Sequence, residues 1–118
     1  MVTTSTDERT QELRAAQADL LAKFFRALGD PTRVRILKIL LEDGPRSVGE
    51  LVEETGGSQS RVSTHLGCLK WCGLVASVRD GKRVIYSIGD DRVAGLLRGG
   101  EQVLADNAEQ VIACQTIV

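Results

Sequence analysis

Three cysteines are the residues of this 118-residue chain best suited to chemistry, and two of them lie four positions apart. Cys68 and Cys72 fall in a segment with helical periodicity, so their side chains share one helix face, close enough for two thiolates to bind one metal ion. Such a pair alone is more typical of a protein core, because cysteine is often buried. Cys114 offers a third thiolate near the end of the chain, and the trio favours a metal site.

A second group of residues has the chemistry to bind nucleic acid. Between positions 58 and 86 lie five basic residues and one acidic residue, although the whole chain has a net charge of -1. Guanidinium, amide and hydroxyl groups of this kind bind base edges and phosphates. The candidate DNA contacts are Gln59, Ser60, Arg61, Ser63, Thr64 and His65 on one predicted helix and Arg79, Lys82 and Arg83 at the turn that follows.

The donor set indicates which metal ions could bind. Three thiolates without a histidine at ligand spacing form a soft site, suited to a divalent ion such as cadmium, lead or mercury. Zinc would need a fourth ligand. His65, three residues before Cys68, is available in principle, but we expect it to contact DNA or to pack on the helix surface.

Composition and motifs argue against several classes of protein. No apolar stretch approaches the roughly 20 residues that span a bilayer, and the first ten residues lack the apolar centre of a signal peptide, so we expect a cytoplasmic protein without a membrane partner. In a reducing compartment the cysteines are expected as free thiols or metal ligands. The chain has no Cys-x-x-Cys motif and no glycine-rich phosphate loop, so neither an enzyme nor a small organic substrate or organic cofactor is expected.

Hydrophobic spacing and capping residues predict the helices that position these groups. A first helix over about 8–28 ends at Gly29, and Asp30-Pro31 begins a second, nearly apolar helix. Ser47 and Glu50 form a capping box for a short third helix. After Gly56-Gly57, a reading helix over about 58–72 has an inward face predicted to comprise Val62, Leu66 and Leu69, with Cys72 as a further candidate.

The last third of the chain predicts a hairpin and one more helix. Two β-prone runs over about 74–88 flank Asp80-Gly81, a strong signal for a two-stranded hairpin. Asp90 or Asp91 is expected to cap a C-terminal helix over about 91–112, in which Gly99-Gly100 is either a weak point or a place of close packing. A helix-turn-helix followed by a hairpin is the winged-helix plan, so we predict one mainly α domain with a small β-hairpin, a winged helix-turn-helix.

Three runs of sequence resemble the ArsR/SmtB family of small winged-helix metal-sensing repressors: ALGDPTRVRIL at 27–37, STHL at 63–66 and GLV at 73–75. The segment THLGCLKWCGLV at 64–75 is similar to the CmtR branch of cadmium and lead sensors, in which a cysteine pair on the reading helix acts with a third cysteine near the C-terminus. The resemblance implies that Cys68, Cys72 and Cys114 bind the inducing metal ion. It also implies a homodimer formed through the first and last helices, whose apolar stripes could equally be core.

The resemblance also implies a mechanism. The metal-free dimer would bind double-stranded operator DNA of a metal-resistance gene, and metal would release it through a negative coupling of the two ligands. Whether Cys114 serves its own subunit or the partner stays open. The alternatives are a thiol-based redox-sensing winged-helix repressor, and a winged-helix module whose cysteines are structural.

Overall fold

A computed structural model describes residues 4–117, with side chains from residue 7 onward. Within these residues, five helices and three short strands follow one another. In order they are α1 (Thr4–Leu28), α2 (Pro31–Asp43), β1 (Arg46–Ser47), α3 (Val48–Thr55), α4 (Gln59–Trp71), β2 (Val75–Asp80), β3 (Arg83–Ile88) and α5 (Val93–Ala113).

The helix starts follow the predicted capping chemistry. The Asp30 carboxylate accepts from the backbone amides of Thr32 and Arg33 at the start of α2. Ser47 and Glu50 form the reciprocal capping box of α3, and the Ser58 hydroxyl accepts from the amide of Arg61 in α4. Each cap satisfies amides that the first turn of a helix leaves without a partner.

One apolar cluster holds α2, α3, α4 and the start of α5 together. Side chains from four helices and from β2 with its preceding turn are almost fully buried in it, which fixes the inward face of α4 against α2 and α3. The cluster comprises Ile36, Leu37, Leu40, Leu51, Val62, Leu66, Leu69, Leu74, Val75 and Val93. The fold is therefore a winged helix-turn-helix, mainly α with a small sheet, as predicted.

Three local predictions need correction. The sheet has three strands in the order β1-β3-β2 and not two, because Arg46 and Ser47 pair with Tyr86 and Ile85. The two-residue hairpin loop is Gly81-Lys82, since Asp80 pairs with Arg83; Gly81 has a φ of +64°, which suits the first loop position of a type II′ turn. Cys72 is exposed at the end of α4 and does not extend its buried face.

The C-terminal helix also differs from prediction. Neither Asp90 nor Asp91 occupies the N-cap; Arg92 does, without a side-chain cap, and the Asp90 carboxylate binds the Arg92 amide and guanidinium instead. The helix continues through Gly99-Gly100 and bends at Asn107, whose side-chain amide donates to the Val103 carbonyl. Glycine keeps its own backbone donor and acceptor, so the helix can continue; neither glycine is a place of close packing, since an added Cβ would meet nothing within 4 Å.

Long parts of α1 and α5 project from this body. Every side chain from Asp7 to Lys23 is exposed, as is all of 101–113 except Ala108. The chain is accordingly elongated, 61 × 37 × 24 Å. Among the described residues, neither these helices nor any other is both long and apolar enough to cross a membrane.

Gly89, the residue after β3, lies close to the backbone of the turn that follows α4. This contact predicts how a substitution at Gly89 affects stability. A Cβ on Gly89 would lie 2.8 Å from the Val75 carbonyl carbon and 3.0 Å from the Gly73 carbonyl oxygen, so Gly89→Ala must move backbone. We expect it to lower the free energy of unfolding by about 1–3 kcal/mol in urea at fixed protein concentration. Gly67→Ala, where the added Cβ meets open space inside α4, should raise it by about 0.5–1 kcal/mol. Equal stability of Gly89→Ala and the parent chain would contradict the packing.

Candidate nucleic-acid interface and cysteine site

The outer face of α4 is a continuous polar surface. Burial of Val62, Leu66 and Leu69 turns the helix so that the opposite side faces solvent. The predicted contacts on that side, Gln59, Ser60, Arg61, Ser63 and Thr64, are all exposed. A helix presented in this way, with its N-terminal turns uncovered, has the shape and the donors to enter a major groove.

His65 differs from the other predicted contacts. Its side chain is only 14% exposed and faces the start of α2. The ring nitrogen Nδ1 lies 3.2 Å from a guanidinium nitrogen of Arg33, and Nε2 lies 3.8 Å from the Asp30 carboxylate. Sequence reasoning missed these partners, which lie more than 30 positions away.

The wing formed by β2 and β3 carries the predicted cations at and beside its tip. Arg79 and Lys82 are exposed, whereas the Arg83 guanidinium donates to the Glu50 carboxylate at 2.8 Å. Hydrogen bonds from the backbone and hydroxyl of Ser47, with Arg83 nearby, hold the pKa of Glu50 below its ordinary value. A cavity of about 370 Å³ separates Lys82 and Arg83 from Gln59 on the reading helix.

Two of the three cysteines lie together at the end of α4. Cys68 is partly buried and Cys72 is exposed, and the Cys68 thiol is near enough to affect the ionisation of Cys72. Partial burial and the neighbouring Cys68 sulfur raise the pKa of the Cys72 thiol, an effect that Arg33 and Lys23 only partly offset. Two adjacent thiolates repel each other, so a bound cation is the natural means of keeping both deprotonated.

Cys72 also opens onto two cavities. One, of about 260 Å³, is lined by Leu20, Lys23 and Phe24 of α1 with Trp71. The indole of Trp71, next to Cys72, is 93% exposed. The other, of about 370 Å³, includes Val93 at the start of α5.

Cys114 lies at the far end of α5 from this pair. α5 starts beside Cys72 and runs for 21 residues, roughly 30 Å along its path at 1.5 Å per residue, with a bend at Asn107. Hydrogen bonds from the hydroxyl and backbone of Thr116 and the backbone of Ile117 lower the pKa of the Cys114 thiol. Within residues 7–117 of one chain, no group of three or more His, Cys, Asp or Glu side chains is placed to hold a metal ion. One chain thus brings together Cys68 and Cys72 but not Cys114.

Comparison with known proteins gives three findings. Residues 30–77 match the family described as bacterial regulatory protein, arsR family. The chain is 47% identical over 108 residues to a probable mercury resistance operon repressor of Streptomyces lividans, covering 92% of this chain and 86% of that protein. It is 47% identical over 77 residues to the transcriptional regulator CmtR of Mycobacterium bovis, covering 65% of this chain and 64% of CmtR.

A solved structure resembles the whole architecture. It is the solution structure of the homodimeric winged helix-turn-helix DNA-binding domain of a possible ArsR-family regulator from Mycobacterium bovis. The TM-score is 0.66 at 36% identity, and the match covers 80% of this chain and 85% of that one.

Proposed function

Because this chain belongs to the arsR family of bacterial transcriptional regulators, we propose that it is a homodimeric, metal-responsive repressor that binds operator DNA until a soft metal ion binds Cys68, Cys72 and Cys114. Its relatives are DNA-binding regulators and not enzymes, in agreement with the prediction from sequence. The observation that carries the proposal is the placement of two cysteines one helical turn apart at the end of α4, whose N-terminal turns are exposed.

The DNA-binding role is supported by the uncovered face of α4 and by the wing. In a two-fold dimer each copy would place its α4 in one half-site, about one helical turn of DNA from the other. Base and phosphate contacts are assigned to the exposed predicted residues of α4 and to the cations of the wing. They are Gln59, Ser60, Arg61, Ser63, Thr64, Arg79, Lys82 and Arg83.

The homodimer is supported by the apolar side chains that α1 and α5 leave uncovered. Helices of this kind are marginal in water without packing partners, because most helical stability in proteins comes from an apolar face that packs. A second copy with the same two stripes would cover them. The stripes are Leu13, Leu20, Leu21 and Phe25 of α1 and Leu96, Val103, Leu104, Val111 and Ile112 of α5.

The cysteines fit a soft metal ion through their donor chemistry. The pair Cys68 and Cys72 supplies two adjacent sulfurs, and the length of α5 leaves the third sulfur to come from the partner copy. When bound, a soft cation would supply a bridge of metal–thiolate bonds between the two chains. The relatives named for mercury resistance and as CmtR support a metal inducer, with cadmium, lead and mercury as the candidates.

Release of DNA follows from the position of the pair. Cys68 and Cys72 belong to the end of the reading helix, so fixing their side chains against the partner's C-terminal segment restricts how α4 can lie in the groove. Metal binding then lowers the affinity for DNA, with a coupling free energy typically of about 1–3 kcal/mol. DNA binding lowers the affinity for metal by the same factor.

The deciding experiment is an anisotropy titration of labelled promoter DNA with the reduced dimer at constant salt. Addition of cadmium, lead or mercury should release the DNA, and zinc should do so less well. Tight binding that no metal disturbs would contradict the proposal.

A redox response is the second candidate, favoured by the lowered pKa of Cys114. Peroxide would oxidise Cys114 and a cysteine of the partner pair to a disulfide, with release of two waters. Free-thiol counts after peroxide and after metal separate the two functions.

The cations of the wing predict how operator binding depends on salt concentration. Lys82→Gln removes an exposed cation from each copy, so the slope of log K against log salt for operator binding by the dimer should become shallower by about 0.9 per copy, or about 1.8 in all. Arg83→Gln should change the slope less, because Glu50 already neutralises this guanidinium. The matched measurement is the slope for Glu50→Gln, which frees Arg83 and should steepen it. Equal effects of Lys82→Gln and Arg83→Gln would rule out a persistent Glu50–Arg83 pair.

A further inference from the structure

One guanidinium, that of Arg33 in α2, connects three helices. Its Nε donates to the Ala27 carbonyl at 2.6 Å and one terminal nitrogen donates to the Arg26 carbonyl at 3.0 Å. Both carbonyls lie in the last turn of α1, where a helix leaves acceptors without the usual partner four residues on; the Arg26 carbonyl also accepts from the Gly29 amide. The other terminal nitrogen lies 3.2 Å from Nδ1 of His65 on the reading helix.

In the hydrogen bond between Arg33 and His65, Arg33 must be the donor. A guanidinium has donors and no acceptor, so His65 Nδ1 accepts and its ring carries the proton on Nε2, facing Asp30. Asp30 in turn accepts from the amides of Thr32 and Arg33, which holds the start of α2 in place. His65 is therefore hydrogen bonded to Arg33 through Nδ1, while Nε2 faces the Asp30 carboxylate at 3.8 Å.

We propose that Arg33 and His65 form a positioning pair that sets the orientation of the reading helix relative to α1, and that His65 acts on DNA only through this contact. The inference rests on the proposed function for its DNA readout. It reassigns His65, predicted from sequence as a DNA contact, to a role behind the reading helix.

The Arg33–His65 pair also lies near the cysteines, so a structural change there can reach it through α1. Lys23 and Phe24, just before the turn of α1 that Arg33 binds, line the cavity that Cys72 opens onto. A movement of α1 against the end of α4 must either carry the Arg33 fork along or break one of its bonds. The fork matters for this, because its three nitrogens reach both helices at once, which a lysine ammonium on a flexible stem does not reproduce.

The test compares variants that keep or remove the contact. His65→Leu removes the acceptor, His65→Asn keeps one near Nδ1, and Arg33→Lys keeps the charge but not the fork. We expect His65→Leu and Arg33→Lys each to weaken operator binding on the order of tenfold, with unchanged salt slope and unchanged preference over a base-substituted operator. His65→Asn should restore most of the affinity, and the double variant should be no weaker than the weaker single one. Arg35→Lys, on an exposed position of α2, is the matched control and should bind like the parent.

Two results would overturn the inference. One is a His65→Asn chain that binds as weakly as His65→Leu. The other is an Arg33→Lys chain that binds like the parent while His65→Leu loses its preference among operator sequences, as a base contact would. If the parent chain binds no promoter DNA, the proposed function fails by itself, and the Arg33–His65 coupling is then measured by a double-mutant cycle in urea unfolding, where additive effects would contradict the pair.

Discussion

Mixed dimers of two defective chains are expected to recover metal binding that neither defective homodimer has. One chain carries Cys114→Ser and keeps the cysteine pair; the other carries Cys68→Ser and Cys72→Ser and keeps Cys114. If each site combines the pair of one copy with Cys114 of the other, the mixed two-fold dimer has one intact trio, whereas each homodimer has none. The roughly 30 Å length of α5 is the physical reason for this arrangement.

The test is to count the metal ions bound per dimer, using the ultraviolet absorbance of metal–thiolate bonds. The mixed dimer should bind half as many ions as the parent dimer, and a mixture of two differently tagged parent chains is the control for subunit exchange. Each cysteine variant alone should lose the metal-induced release of DNA, a change of about 5- to 150-fold in operator affinity. Mixed dimers that stay as inactive as both homodimers, after proven exchange, would mean that each chain builds its own site.

Leu21→Glu is expected to convert the dimer into monomers and to lower operator affinity by about 100-fold or more, because the second half-site contact is lost. Leu21 is 55% exposed, on the part of α1 that projects from the body of the chain. In a dimer its side chain would be buried, and an unpaired carboxylate there is strongly unfavourable. The same substitution would disturb an isolated chain very little.

Ala15→Glu provides the matched control on the same helix. Ala15 is exposed and points about 120° away from Leu21 at 100° per residue, off the apolar stripe. Sedimentation velocity and anisotropy should show a dimer with parent-like affinity for this variant. A dimeric Leu21→Glu chain would place the dimer interface elsewhere.

Local chemistry explains which parts of the fold could be predicted from sequence. Asp30, the Ser47–Glu50 box and Ser58 mark helix starts because a cap needs only residues two or three positions apart. The spacing of Val62, Leu66 and Leu69 likewise predicts which face of the reading helix is buried, without information from distant residues.

The rest depends on contacts between distant positions. The strand β1 has two residues, too few for an alternating pattern, and exists because it pairs with β3. Glu50 meets Arg83, and Arg33 meets His65, across more than 30 positions, so the sequence indicates the groups but not the pairs. The cysteine trio was predicted from residue types, and the proposal that it is divided between two chains rests on the length of α5, which the cysteine spacing alone does not reveal.

The exposure of the single tryptophan gives the protein an optical signal of its own. Trp71 is 93% exposed and adjoins Cys72. An indole emits differently in water and in contact with protein, and heavy ions quench emission from a ring a few ångströms away. The intrinsic tryptophan fluorescence of the unlabelled chain therefore reports metal binding at its cysteines, and Trp71→Phe, which lacks this emission, is the control.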